Sequence, residues 1–280
     1  MKAPEISVLV PVRNGANFIE DVIKSVISQT FIDWTLIVKD NCSSDDTREI
    51  VRRYAGVDPR IVLVERDRDV GSCENYNSCV REVKTKYYLA LSHDDYLYSQ
   101  NALEKAYNIL ESHPSVPKVH SDMMFVDQYS QAIMPRHFKR QGLVDSDIIG
   151  KKSIVTVRNL YGIPLLLRSE TVRGHQYDQA FPYTSDIDFS ISVGKGMQIY
   201  HIPEILIALR IHQHNATHGR FDQIANELRL SARKHRIALS VIDRLMMIAY
   251  DRYQRCAKHL FYVYLMRFRK SGKLTSKIGF

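Results

Sequence analysis

Between Ile6 and Leu91 short β-branched runs alternate with stretches of helical period, and no other feature limits the possible folds so strongly. Ile6-Ser-Val-Leu-Val10 has the continuous apolar character of a strand buried on both faces. Phe18, Ile19, Val22, Ile23, Val26 and Ile27 then keep one apolar helical face, with Asn17 and Glu20 spaced as a capping box. Leu36–Val38 is expected as the second strand, Asp45–Tyr54 as the second helix and Ile61–Val64 as the third strand. Asn75–Val83 follows as the third helix and Tyr87–Leu91 as the fourth strand. This β-α-β-α-β-α-β order predicts a doubly wound, mostly parallel sheet with right-handed crossovers.

Beyond Asp95 the pattern loosens. A helix is expected over Asn101–Ser112, strands over Val119–Val126 and Ile154–Leu167, and a polar stretch without clear period around residues 130–153. A helix over Ile187–Gly194 and a strand over Ile199–Leu209 complete the predicted α/β domain, residues 1–220. Residues 221–280 are expected to form a helical C-terminal appendage.

Charge separates the two parts. Arg229–Phe280 holds thirteen Lys and Arg against Asp243 and Asp251, so the net +8 of the chain belongs to its tail. In that tail Ile237, Leu245, Ile248, Leu260, Phe261, Tyr264 and Phe268 offer apolar anchors at helical spacing. Two helices packed on the first domain would explain them. So would an amphipathic surface resting on anionic lipid, where each nearby Lys or Arg contributes about 1 kcal/mol. No nucleic-acid-binding motif accompanies the charge, and no nucleic acid partner is expected. Cys42, Cys73, Cys79 and Cys256 have no paired spacing and are expected as reduced thiols. With no signal-like start and no run approaching the ~20 apolar residues of a membrane span, a cytoplasmic location is expected, or a peripheral one on the inner face of the plasma membrane.

In a doubly wound sheet ligands bind beyond the carboxyl ends of the strands. The segments there are Pro11-Val-Arg-Asn-Gly15, Asp40-Asn-Cys-Ser-Ser-Asp-Asp-Thr47 and Ser92-His-Asp-Asp95. Ser44 or Asp45 can cap the following helix. Asp94 and Asp95, adjacent carboxylates directly after an apolar strand, repel each other unless a cation is present, and a hard Mg²⁺ or Mn²⁺ ion would bridge them to phosphate.

The succession Ser7-Val-Leu-Val-Pro-Val-Arg-Asn14, Ser25-Val-Ile-Ser-Gln-Thr30 and Asp40–Thr47 resembles the opening of the family 2 glycosyltransferases. Gly71, Asn77, Ser92-His-Asp-Asp95, Ser185-Asp-Ile-Asp188 and Arg210-Ile-His212 extend the resemblance over roughly residues 5–218. It implies a GT-A fold and an inverting transfer of a sugar from a nucleotide diphosphate donor, UDP-sugar by family habit. The acceptor would be a hydroxyl of a glycan or lipid-linked glycan, as in polysaccharide synthesis. Pro11, Val12, Arg13, Asn14, Asp40 and Asn77 would line the nucleotide, and Asp94 would meet its ribose and diphosphate. Asp94, Asp95 and His212 would hold the metal, and Asp186, or alternatively Asp188, would be the catalytic base. Asn41 stands where a second aspartate is frequent, Cys42 where glycine is, Ser92 where the first acid is, and Ser185 where a glutamate often precedes the base.

Plainer roles compete at several positions. Asp186 and Asp188 suit a helix's first turn, Asn77 could be a packing contact, and His212, His214 and His218 could be a polar loop. Two other functions are weighed. A nucleotidyltransferase would carry a Gly-rich, basic phosphate loop after the first strand, which Val10–Gly15 lacks. A non-catalytic relative would have no need of Asp94, Asp95 and Asp186.

Overall fold

The computed structural model of the protein describes residues 4–212 and 220–268, the side chains of the last helix as far as residue 253 and at Cys256. His214, His218 and the side chains of Leu260, Phe261, Tyr264 and Phe268 lie outside the described residues. The first half follows the alternation of its sequence: β1 (Ile6–Val12), α1 (Ile19–Ile27), β2 (Trp34–Asp40), α2 (Thr47–Ala55), β3 (Ile61–Glu65), α3 (Ser72–Arg81) and β4 (Tyr87–Ala90). All seven residues of β1 are buried, as a strand covered on both faces requires. On α1 the positions Ile19, Val22, Ile23 and Val26 face the core, and each such side chain contributes about 1.5–3 kcal/mol by leaving water. The expected capping box is absent: the cap residue is Phe18 without a side-chain hydrogen bond, because Gly15 and Ala16 already tie this turn to the next loop.

The second half runs β5 (Tyr96–Leu97), α4 (Ala102–Ser112), β6 (Lys118–Val126), β7 (Ala132–Arg136), β8 (Gly142–Asp145), α5 (Ser146–Val155), β9 (Pro164–Arg168), α6 (Ser169–Val172) and α7 (Ser185–Gly194). The described chain ends with β10 (Gln198–Arg210), α8 (Phe221–Lys234) and α9 (Val241–Phe268). One mixed sheet has the order β3-β2-β1-β4-β9-β6-β10-β5, with β7 on β6 and β8 on β10. β3, β2, β1 and β4 are parallel, β9 lies antiparallel to β4 and β6, and β10 runs parallel to β6. The carboxyl ends of β1, β2, β4 and β10 therefore share one rim.

Two expectations are corrected. Ile154–Leu167 is not one strand: Ile154 and Val155 end α5, Val157 takes a positive φ of 51°, and only Pro164–Arg168 is extended. Both ends of that run are buried, so hydrophobicity alone could not separate helix from strand there. The polar stretch around 130–153 contains β7, β8 and most of α5, the last capped by Asp145 through the N–H groups of Asp147 and Ile148.

The boundary expected at residue 220 divides no separate core. Ala225, Leu228 and Ala232 of α8 and Met247 of α9 pack with Ile149, Ile154, Ile187, Ile191 and Ile199. Glu227 of α8 also accepts from the Tyr183 N–H and the Thr184 hydroxyl, just before α7.

Candidate active site

The rim begins where β1 and β2 end. Asp40 is fully buried; its Oδ2 accepts from the Ser43 N–H at 3.0 Å and from Arg48 Nε at 2.5 Å, while its Oδ1 has no partner among the described residues. An unmatched carboxylate oxygen at a strand end is costly in a closed core and useful where a ligand N–H can reach it. Pro11 and Val12 are the last residues of β1, paired with Lys39 and Asp40. Asn14, at φ 52°, accepts from the Ser44 N–H and hydroxyl, fastening the first loop to the second. Gly15 is required: a Cβ there would lie 2.6 Å from Val12 Cγ2 and 2.8 Å from His93 Cδ2.

Arg13 is paired with Asp69, which also accepts from Asn41 Nδ2 at 2.6 Å and from the Gly71 N–H. Asn41 can hold Asp69 because it is an amide; an aspartate in its place would repel it. Cys42, where a glycine is frequent, carries a φ of 61° that glycine would adopt without strain.

The turn after β4 divides its two acids. Asp94 faces the rim, with Oδ2 3.0 Å from His212 Nε2 and Oδ1 2.5 Å from the Ser92 hydroxyl. Burial works to raise its pKa, but the bonds from His212 and Ser92 and the charge of His93 outweigh it and lower the carboxyl to about 2. Asp95, expected beside it at a metal, is instead turned inward, where its Oδ1 accepts from the Arg210 N–H at 2.9 Å. Burial and the adjacent Asp94 charge push its carboxyl well above the ordinary range. Among the described residues no group of three or more His, Cys, Asp or Glu is arranged to hold a metal ion. The rim offers a pair, Asp94 and His212.

Asp186 and Asp188 open α7 and face different surroundings. Asp188 is buried and takes bonds from the Ser231 hydroxyl at 2.8 Å, Lys234 Nζ at 2.6 Å and His235 Nε2 at 2.8 Å, all from or just after α8. Asp186 is exposed to solvent, with Oδ2 accepting from Asn159 Nδ2 at 2.7 Å. Its crowded, partly desolvated setting raises its carboxyl pKa, although hydrogen bonds from the α7 backbone and Asn159 oppose the rise.

Two tyrosines neighbour these acids. Burial, with the charges of Asp94 and Asp95 adding to it, pushes the phenol of Tyr76 on α3 well up, and its ring centroid lies 5.1 Å from that of Tyr177. Tyr177 in turn feels the charge of Asp186. Asn77 spends its amide on the backbone of Tyr177, donating to the carbonyl at 2.8 Å and accepting from the N–H at 2.7 Å. It therefore holds Tyr177 against α3.

Sequence reasoning missed Tyr76, Tyr177, Asn159 and the task of Arg210. The Arg210 guanidinium, almost fully buried, donates to the Asp94 carbonyl, the Asp127 carbonyl, the Ser130 hydroxyl and Asp21, and lies 4.7 Å over the Phe18 ring. Arginine beside His212 was visible in the sequence. That it anchors the acidic turn depends on contacts between distant segments.

A mixed sheet of this order, with its rim of loops and acids at β1, β2, β4 and β10, has the GT-A type of fold. The chain belongs to glycosyl transferase family 2, whose profile matches residues 7–154, more than half of its length. It is an enzyme of glycosyl transfer. An uncharacterised glycosyltransferase of Rickettsia prowazekii is 28% identical over 229 residues, 79% of this chain and 69% of the relative. The putative teichuronic acid biosynthesis glycosyltransferase TuaG of Bacillus subtilis is 33% identical over 102 residues, 36% of this chain and 40% of that protein. S. aureus TarS in complex with UDP-GlcNAc superposes with a TM-score of 0.67 at 16% identity, covering 97% of this chain and 76% of that one. The mannosyltransferase PcManGT from Pyrobaculum calidifontis, in complex with GDP-Man and Mn²⁺, gives 0.61 at 17% identity, covering 90% and 70%. At these identities the structural likeness is one of fold.

Proposed function

We propose that the protein transfers a sugar, with inversion, from a nucleotide diphosphate donor to a hydroxyl of a glycan or lipid-linked glycan. The observation that carries this reading is the pairing of Asp94 with His212 across 118 residues of chain, on the rim where Asp40 presents an unmatched oxygen. The donors bound by TarS and PcManGT support a nucleotide-sugar, with UDP favoured and GDP or dTDP as the other candidates. The description of TuaG supports a place in polysaccharide synthesis. A non-catalytic role is disfavoured by the same acids and by family membership.

Asp94 and His212, with a carboxylate oxygen and an imidazole nitrogen 3.0 Å apart, would be the residues to hold a Mn²⁺ or Mg²⁺ ion. Such a cation supplies Lewis-acid stabilisation of the charge that develops on a leaving diphosphate. Asp40 Oδ1 accepts from the nucleobase, and Pro11–Asn14 close around the nucleoside. Asp186 Oδ2, oriented by Asn159, takes the proton of the acceptor hydroxyl as it attacks the anomeric carbon. A carboxylate of raised pKa is a stronger base than a free aspartate, and one displacement inverts the anomeric configuration. Asp188, saturated by Ser231, Lys234 and His235, is proposed to fix α7 and leave proton transfer to Asp186.

On α9, Val241, Ile242, Leu245 and Ile248 are exposed beside Arg244 and Arg252, which supports peripheral contact with an anionic membrane. Among the described residues no helix is long and apolar enough to cross one.

The test is kinetic. With a UDP-, GDP- or dTDP-sugar and Mn²⁺, Asp186→Asn should lose about 10²–10⁴-fold in transfer, the usual contribution of a positioned base. Donor affinity should stay within a small factor of wild type. Full transfer by Asp186→Asn would remove Asp186 from the chemistry.

A further inference from the structure

Across Asn159 from Asp186 lies a group of charges that the transfer reaction, as described, does not use. Arg136 ends β7, Arg140 follows four residues later, and Arg158 lies on the loop between α5 and β9. The Arg136 and Arg140 guanidiniums each lie 4.7 Å from the centroid of the Phe138 ring. Gly162 leaves the space that ring occupies: a Cβ there would lie 2.9 Å from Phe138 Cζ. The loop facing them is rigidly built. Val157 and Gly162 take positive φ, and Asn159 closes its own turn by accepting from the Gly162 N–H at 2.9 Å while donating to Asp186.

The guanidiniums are only partly satisfied. Arg136 donates to the Asn159 carbonyl and Arg140 to the Leu160 and Tyr161 carbonyls, while Arg140 Nε is buried with no partner among the described residues. Among the described residues none of the three forms an ion pair with a carboxylate. The acid that faces Arg140, Asp122, is occupied by His137, His201 and the Phe138 N–H. Burial, with Arg158 and Arg140 close by, lowers the Arg136 pKa to about 10, and burial lowers that of Arg140 to about 10 as well. Like charges gathered without counter-charges oppose folding, and a bound oxyanion, which a guanidinium grips with two parallel N–H groups, would relieve them.

We infer that Arg136, Arg140 and Arg158 form a subsite for an anionic group, a phosphate or a carboxylate, carried by the glycan acceptor. The inference rests on the reading of Asp186 as the base that meets the acceptor. Asn159 links the two directly, since its backbone carbonyl accepts from Arg136 and its side chain donates to Asp186. The donor diphosphate belongs at Asp94 and His212, so this second group of cations serves the other substrate. The enzyme would then act on phosphate-bearing or uronic-acid-bearing chains in preference to neutral ones.

The experiment is arginine modification of the full-length wild-type protein by phenylglyoxal, with each site followed by peptide mass spectrometry. Glycerol 3-phosphate and glucuronate are the anionic probes, glycerol and glucose their neutral counterparts. Severalfold slower modification of Arg136 and Arg158 with an anionic probe, and none with the neutral ones, is the expected result. Which probe protects distinguishes phosphate from carboxylate. No protection by either anion, or equal protection at the exposed Arg53 and Arg252, would overturn the subsite. Mn²⁺-dependent UDP binding, measured on the same preparation, reports on the donor reading separately: it can persist while protection fails, or fail while protection persists.

Discussion

Asp186 and Asp188 are separated by one residue and meet opposite fates. The side chain of Asp188 is closed over by three side-chain donors, whereas that of Asp186 keeps one side-chain donor, Asn159, and an opening to solvent. A base must be ionised, so transfer should fall as pH drops through the raised pKa of Asp186, above the ~3.9 of an ordinary aspartate. Asn159 donates to the charged form and holds that pKa down. Asn159→Ala should therefore move the acidic limb of kcat/KM to higher pH, as a pH–rate profile would record; an unmoved limb would separate Asn159 from the base. Asp188 runs the other way. Burial alone would raise it, but His235, Lys234 and Ser231 outweigh burial and lower its pKa. The stability it contributes is thus present above about pH 3.9 and lost as pH falls through the folded value. Urea melts of Asp188→Asn should show a loss of stability near neutral pH that narrows in acid; a pH-independent difference would contradict the linkage.

At the scale of elements, β1 to β4 and the helices between them were legible because each holds a single period bounded by Gly, Asn or Asp. The same rule failed over Ile154–Leu167, where the end of a helix, a left-handed residue and a strand are all apolar. The proposed site residues Asp40, Asp94, Asp186 and His212 sit near strand ends and a helix start, positions that pattern can locate, while the roles proposed for them are what the family resemblance implies. The inward turn of Asp95 was not, because it is decided by the Arg210 backbone 115 residues away. Nor could pattern reveal that α8 completes the core around α7, since an amphipathic helix does not name its partner. Leu228, fully buried against that core, gives the test. Leu228→Ala should cost about 2–5 kcal/mol and leave one cooperative transition by denaturant unfolding. Two separate transitions would restore an independent appendage.

Over the whole molecule, the sheet gathers the ends of β1, β2, β4 and β10 on one rim, while the excess positive charge lies in the last fifty residues. The exposed apolar residues at the start of α9 belong to that charged region, and together they support the proposed contact with anionic lipid. Sedimentation with vesicles should retain the protein on anionic lipid and not on neutral lipid, and Leu245→Asp with Ile248→Asp should release it. Equal binding to both lipids, or none, would leave α9 without this role. The central claim, that the rim is a metal-assisted nucleotide site, is reached most directly by calorimetric titration with UDP, GDP and dTDP, each with and without Mn²⁺. One nucleotide should bind far more tightly with Mn²⁺ than without it, and His212→Ala should abolish that difference. Nucleotide binding indifferent to Mn²⁺ in the wild type, or no binding at all, would contradict the account.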